Sequence, residues 1–200
     1  MRVSKEQAAE NRARILAETA RMIREAGIGG VGVDALTRAA GLTHGSLYSQ
    51  FGSKERLVAE ALAQALENSG DKTRKELAAG GSLATVVARY LSPAHRDAPG
   101  GGCALAAIGP EAARQGSAVR QAFTRGVRGF AARLAAVMPS SSGAQPPEDA
   151  ALATVATLVG ALILARAVDD PELSDRILAA SARRLTAGDD GTAAGGPPPR

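Results

Sequence analysis

Residues 33–57, VDALTRAAGLTHGSLYSQFGSKERL, leave few choices of architecture. VDALTRAA places Val33, Leu36 and Ala40 on one helical face, and Gly41 stands where a left-handed C′ residue ends a helix. Thr43 can cap a second helix through its hydroxyl, and that helix ends near Phe51, before Gly52 and Ser53. Two short helices joined by a glycine turn make a helix-turn-helix. Leu42 is then free to point inward, while Leu47 and Phe51, four apart, can pack on Leu36, Ala40 and Ile23. The opposite face keeps His44, Gly45, Tyr48 and Ser49, all small or hydrogen-bonding. That fits a recognition helix presenting its N-terminal residues to base edges in a major groove. Gly45 permits close approach, and the Tyr48 phenol and Lys54 ammonium are placed to reach phosphates. The helix starting at Ser53 adds free N–H donors to the same task.

The flanking sequence is helical throughout. Ile15, Thr19, Met22, Ile23 and Ala26 recur at helical spacing across residues 5–26, and Gly27 ends that helix. A longer helix starts at Ser53 and runs toward Leu77. Further helices are expected near 82–91, 103–115, 117–138, 148–167 and 172–186. The breaks between them are SPAHRDAPGGG (92–102), Gly116, PSSSGAQPP (139–147) and Asp169-Asp170-Pro171. The tail AGDDGTAAGGPPPR (187–200) has the composition of a disordered segment. Aromatics at 2% and few β-branched runs agree with an all-α fold rather than a sheet. The chain is expected to divide into a helix-turn-helix domain (1–52), a second helical domain (53–187, with 53–78 as connecting helix), and a disordered tail (188–200).

Charge does less to define a partner. Residues 1–67 hold nine Lys or Arg against eight Asp or Glu, so any positive field is local, around Arg2, Lys5, Arg12, Arg14 and Lys54. The longest uncharged run, Ala150 to Ala165, is shorter than the roughly 20 residues a bilayer span needs. The N-terminus lacks the apolar core of a signal peptide, so a cytoplasmic protein without membrane contact is expected. A single cysteine rules out an internal disulfide and a cysteine-based zinc site. With two distant histidines besides, neither a metal nor a cofactor is expected.

Residues 11–58 resemble the DNA-binding half of TetR-type transcriptional regulators. RILAETARMIREAGIGG, LTRAAGL, THGSLYSQF and GSKERLV carry the likeness. The resemblance implies an all-helical homodimer that binds double-stranded operator DNA through its first three helices. A variable C-terminal domain would bind a small-molecule inducer and dimerise through its last two long helices. Thr43, Gly45, Tyr48 and Lys54 match positions that commonly contact DNA in that family, and His44 occupies a variable position that often reads bases. Val31-Gly32 departs from the family's usual Thr/Ser pair and removes a side-chain phosphate contact. Gln50 stands where His or Tyr is common.

The lone cysteine follows three glycines in APGGGCALAAIGPEAARQ, at the start of a helix. A helix N-terminus favours the nucleophilic thiolate, and His95, Arg96 and Arg114 are possible neighbouring cations. YLSPAHRDAPGGGCALAAIGPEAARQ resembles a subset of TetR-type proteins with Gly-Cys at the start of the sixth helix, some of which respond to electrophiles or oxidants. Cys103 is thus a candidate ligand or redox sensor, or else a small buried hydrophobe. Arg114, Arg120, Arg125, Arg128 and Arg133 are spread around their helix and read as a solvated surface. In the last two helices Ala153, Ala156, Thr157, Gly160, Ala161 and Leu164 form a stripe for close helix approach, with Leu173 and Ile177 as partner knobs. The same pattern also serves an intramolecular core. Against a ligand- or electrophile-responsive repressor, two other readings stand: an enzyme with Cys103 as nucleophile and His95 as base, and a helical interaction module without DNA binding.

Overall fold

The structure, a computed structural model, describes residues 5–41, 43–138 and 147–187. Among them every regular element is helical. Leu42, Arg2, the 188–200 tail and all but the last residue of the 139–147 break lie outside the described residues.

Helix α1 (Lys5–Gly30) turns Ile15, Leu16, Thr19, Ala20 and Ile23 inward. Its helical run breaks at Gly27 (φ 77°, ψ 165°), a conformation essentially confined to glycine. One further turn reaches Gly30, beyond the end expected from sequence. Glu111 holds that turn, accepting the Gly29 N–H at 3.0 Å. Gly32 then starts α2 (Val33–Ala40) with no side-chain cap. Gly41 (φ 65°) ends it, its N–H turned back to the carbonyls of Arg38 and Thr37. Thr43 caps α3 (His44–Phe51) by accepting the Ser46 N–H at 3.1 Å. Ser53 caps α4 (Lys54–Ala78) in the same way through Arg56.

The second half contains α5 (Leu83–Tyr90), α6 (Pro93–Asp97), a 3-10 turn (Pro99–Gly101), α7 (Ala104–Ala112), α8 (Ser117–Ala135), α9 (Pro147–Ala167) and α10 (Pro171–Thr186). The expected break at 92–102 therefore holds a short helix and a turn. Ser92 caps α6 through the His95 N–H at 3.2 Å, and Pro93 suits a first helical turn, where no N–H is needed.

Two clusters of buried side chains form the interior. In the first, Leu47 and Phe51 pack with Ile23, Leu36, Ala40, Leu57 and Leu62. Ala104, Ile108, Val119 and Ala122 belong to the same cluster, so the core beneath the helix-turn-helix continues under α7 and α8. The second is built from Val86, Leu105, Leu134, Leu158, Leu162 and Leu178 among others, and Leu66 and Phe123 touch both. Helix α4 lies against α1 on one side and α8 on the other, joining the two halves.

At 21 residues α9 exceeds the uncharged run read from sequence, and by length and composition alone it could cross a membrane. In the fold it is a bundle helix, with Ala151, Val155, Leu158 and Leu162 buried against its neighbours. Its other side is open: Ala153 and Ala156 are exposed, Thr157 and Gly160 half-buried, and Leu164 is 56% exposed. Leu173 on α10 is likewise exposed, and Ile177 is half-buried against the second cluster. Ala161 corrects the expected stripe. It is buried with Leu158, Leu162 and Ala165 inside the chain and is not on the open face.

A methyl group at position 27 would meet two penalties. The backbone there disfavours any side chain, and an added Cβ would lie 2.3 Å from Glu111 Oε1. Gly27→Ala is expected to cost about 2 kcal/mol or more, read as a lowered urea midpoint; an unchanged midpoint would contradict this reading of the kink.

Candidate functional site

The outer face of α3 is open. Thr43, His44, Gly45, Tyr48 and Ser49 are all exposed, while Leu47 and Phe51 hold the helix from beneath. The Thr43 hydroxyl serves the cap and also meets Ser46 Oγ at 3.2 Å, and Ser49 Oγ donates to the Ser46 carbonyl at 3.0 Å. Tyr48 is 50% exposed, and its phenol has no hydrogen-bond partner among the described residues. His44 Nε2 lies 2.5 Å from Asp34 Oδ1 on α2, so this exposed side chain is paired with an exposed carboxylate. Gln50 is exposed and uses its backbone carbonyl, at 3.3 Å, to receive Arg12.

The cations are arranged differently from the sequence expectation. Arg12 is an internal brace: its guanidinium pairs with Glu60 and lies 4.3 Å from the centre of the Phe51 ring. Arg14 donates to Asn11 Oδ1 at 3.3 Å. Lys54 Nζ donates to the Ile28 carbonyl at 3.1 Å and fastens the end of α1. An ammonium has three hydrogens, so a phosphate can still be met from the same atom. Sequence reading overlooked Arg38 and Arg56, both exposed and without an acidic partner among the described residues. Arg38 is one turn from Asp34 on α2, and the Arg56 guanidinium lies over Gly52. Their signal was position, one helical turn from a helix terminus, rather than a motif.

Cys103 is the N-cap of α7 and is half-buried. The residue that places it is His95. Nδ1 lies 2.7 Å from the Tyr90 carbonyl, and Nε2 lies 2.9 Å from the Cys103 backbone nitrogen. Since an amide can only donate, Nε2 carries the lone pair and the hydrogen is on Nδ1. One neutral imidazole thus staples the end of α5 to the start of α7. Burial pushes the His95 pKa down, opposed by the Tyr90 carbonyl and assisted by the charges of Arg166 and Arg89. Arg166 donates to the carbonyls of His95 and Arg96 at 2.7 and 3.0 Å, fixing α6 to α9. Two of the three glycines, Gly100 and Gly102, have steric grounds, while a Cβ at Gly101 would meet open space. A Cβ at Gly102 would lie 3.0 Å from the imidazole, and one at Gly100 would lie 2.2 Å from Glu25 Oε1.

Of the cations expected near the thiol, His95 is uncharged and Arg96 is turned to Asp97 and Asp175. The cations that lie near Cys103 are instead Arg24 and Arg166. Arg24 on α1 donates to the Gly100 carbonyl from Nε at 2.7 Å and from a second guanidinium nitrogen. Cys103 also faces a cavity of about 130 Å³ lined by Leu66, Tyr90, His95, Leu105, Phe130 and Arg133 among others. The end of α1 is therefore tied to the cysteine loop through Arg24 and to α7 through Glu111.

Residues 15–61 match the model of a family described as bacterial regulatory proteins, tetR family. No curated protein matches the chain. Solved structures match its whole architecture. The reduced form of Escherichia coli NemR is 22% identical, with 89% of this chain and 96% of that one aligned at a TM-score of 0.75. A TetR-family transcriptional regulator from Cytophaga hutchinsonii is 22% identical over 94% of this chain and 98% of its own, at a TM-score of 0.73. One from Agrobacterium tumefaciens is 18% identical over 88% and 97%, at a TM-score of 0.72. At these identities the likeness establishes a shared fold, and the match at residues 15–61 establishes the helix-turn-helix within it. Residues 15–61 thus carry the helix-turn-helix of the tetR-family model, set in a fold that the chain shares along its length with solved TetR-family regulators.

Proposed function

We propose that the protein is a repressor that binds a palindromic operator as a homodimer and releases it when an inducer enters the cavity beside Cys103 or when Cys103 is modified. In this reading residues 1–52 bind DNA, residues 53–187 receive the effector and dimerise, and α4 connects the two. The observation that carries it is the double tie between α1 and the cysteine region, Arg24 to Gly100 and Glu111 to Gly29. A change at Cys103 that moves the glycine loop has a direct mechanical route into the helix-turn-helix, and an effector favouring the displaced state weakens DNA binding by the same coupling free energy.

Dimerisation is supported by the open side of α9. Leu152 and Leu164 there, with Leu173 on α10, are exposed large apolar side chains flanking Ala153, Ala156, Thr157 and Gly160. Two copies packed on this face would present two α3 helices to successive major grooves about 34 Å apart. Thr43, His44, Gly45, Tyr48, Ser49 and Lys54 are the proposed DNA contacts, with Arg38 and Arg56 supplying charge beside them. The enzyme reading is disfavoured by the imidazole. His95 spends both ring nitrogens on backbone groups, so no lone pair is left to take the thiol proton.

A mobility shift on the DNA upstream of the protein's own coding region tests the DNA face. Tyr48→Phe and Lys54→Ala are expected to weaken binding several-fold on all sites, whereas His44→Ala changes preference among sites. A shift that is absent, or insensitive to salt, would contradict DNA binding by this face. For Cys103, N-ethylmaleimide is expected to release the operator from the wild type and not from Cys103→Ser. Equal release from both would leave Cys103 as a packing residue.

A further inference from the structure

We propose that the cavity beside Cys103 is a binding site for a small monocarboxylate, its anionic head held by Arg133 and Tyr90. This rests on the reading that residues 53–187 receive the effector, and it names the class of that effector.

The charge of the lining points one way. Lys72, Arg89 and Arg133 contribute to it, and no Asp or Glu does. Arg89 is already satisfied, by Glu76 at 2.8 Å and Thr73 at 3.3 Å. Arg133 is not. It makes no hydrogen bond or ion pair among the described residues, and its Nε is buried without a partner. Its guanidinium lies against α4 at Gly70, where an added Cβ would sit 2.8 Å from Nη1. Burial, and then the charge of Arg74, push the Arg133 pKa down, and a bound anion relieves both effects.

Tyr90 supplies the independent observation. The residue is only 4% exposed, and its hydroxyl has no hydrogen-bond partner of sound geometry. The Cys103 thiol interacts with it, but sulfur is a weak acceptor. Burial drives the phenol's pKa up, which keeps it a proton-bearing donor. Tyr90 is held in place by its ring, edge-on to His95 at 4.8 Å and stacked on Phe130 at 5.8 Å. Buried donors left unpaired are costly, and an incoming carboxylate satisfies two of them with charge-assisted bonds. Leu66, Leu105 and Phe130 provide an apolar wall for the rest of the ligand. The volume of about 130 Å³ sets its size, since an engineered apolar cavity of about 150 Å³ holds benzene. One ring or a short chain fits; a long acyl chain does not.

Isothermal titration of the full chain with benzoate and with butyrate, each against its matched amide, tests the site directly. Carboxylates are expected to bind at least about tenfold more tightly than the amides. Arg133→Gln should lose about tenfold or more and Tyr90→Phe several-fold, with Arg133→Lys in between. Arg128→Gln, an exposed cation on the same helix, should bind as the wild type does. Thermal unfolding of each variant shows that it is folded. Failure of both carboxylates to bind, equal binding of the amides, or unchanged binding by folded Arg133→Gln would overturn the proposal. No DNA is present in this measurement, so its failure is separable from that of the regulatory reading. Benzoate that binds through Arg133 without releasing operator upholds the site and removes its regulatory role. Operator release by N-ethylmaleimide with no carboxylate bound overturns the site and leaves the regulation standing.

Discussion

The end of α1 is the point on which the rest of this structure turns. A helix that breaks at Gly27 leaves backbone donors and acceptors without intrahelical partners, and each must find one elsewhere. Two find them in different parts of the chain: Gly29 donates to Glu111 of α7, and the Ile28 carbonyl accepts from Lys54 of α4. One turn earlier the Arg24 side chain reaches the Gly100 carbonyl. These contacts tie the end of α1 to α4, to α7 and, through Arg24, to the loop that carries Cys103.

On the other side of that connection the cysteine loop is held by hydrogen bonds to its backbone groups. His95 fixes the Cys103 backbone while remaining unprotonated, and Arg166 gathers the carbonyls of α6. Such an arrangement places the thiol beside the cavity, with Cys103 packed against the second cluster. Both proposed inputs, a carboxylate against Arg133 and an adduct on Cys103, act on the same small volume between α4, α5, α7 and α8. A two-state response follows if that volume is filled in one state and collapsed in the other, because packed interiors rearrange between discrete arrangements rather than deforming continuously.

The helix-turn-helix was legible in the sequence because its signals are local. Gly41, Thr43 and Ser53 stand within a few residues of the backbone groups they serve, so spacing alone places the turn and both caps. The contacts between α1 and the cysteine region were not legible for the opposite reason. Arg24 and Gly100 are 76 positions apart, and Gly29 and Glu111 are 82 apart. Neither pair differs in type from the many other charged and glycine positions in the chain. Arg133 was read as a solvated surface residue because the arginines around it are, and only the approach of Gly70 on α4 buries it. In α9 the phase of the small-residue stripe was ambiguous. The helix is apolar on nearly all sides, so Ala161 could be assigned to either face until its neighbours Leu158 and Leu162 were seen to point inward.

The account's central claim is that a change at Cys103 reaches DNA through the ties at the end of α1. Operator binding by Arg24→Gln, measured before and after complete alkylation of Cys103 by N-ethylmaleimide with the adduct verified by mass, tests it most directly. The predicted result is a variant that binds operator and accepts one adduct as the wild type does, yet keeps its DNA after alkylation. Release as complete as that of the alkylated wild type would contradict the account, since the signal would then bypass the Arg24–Gly100 contact.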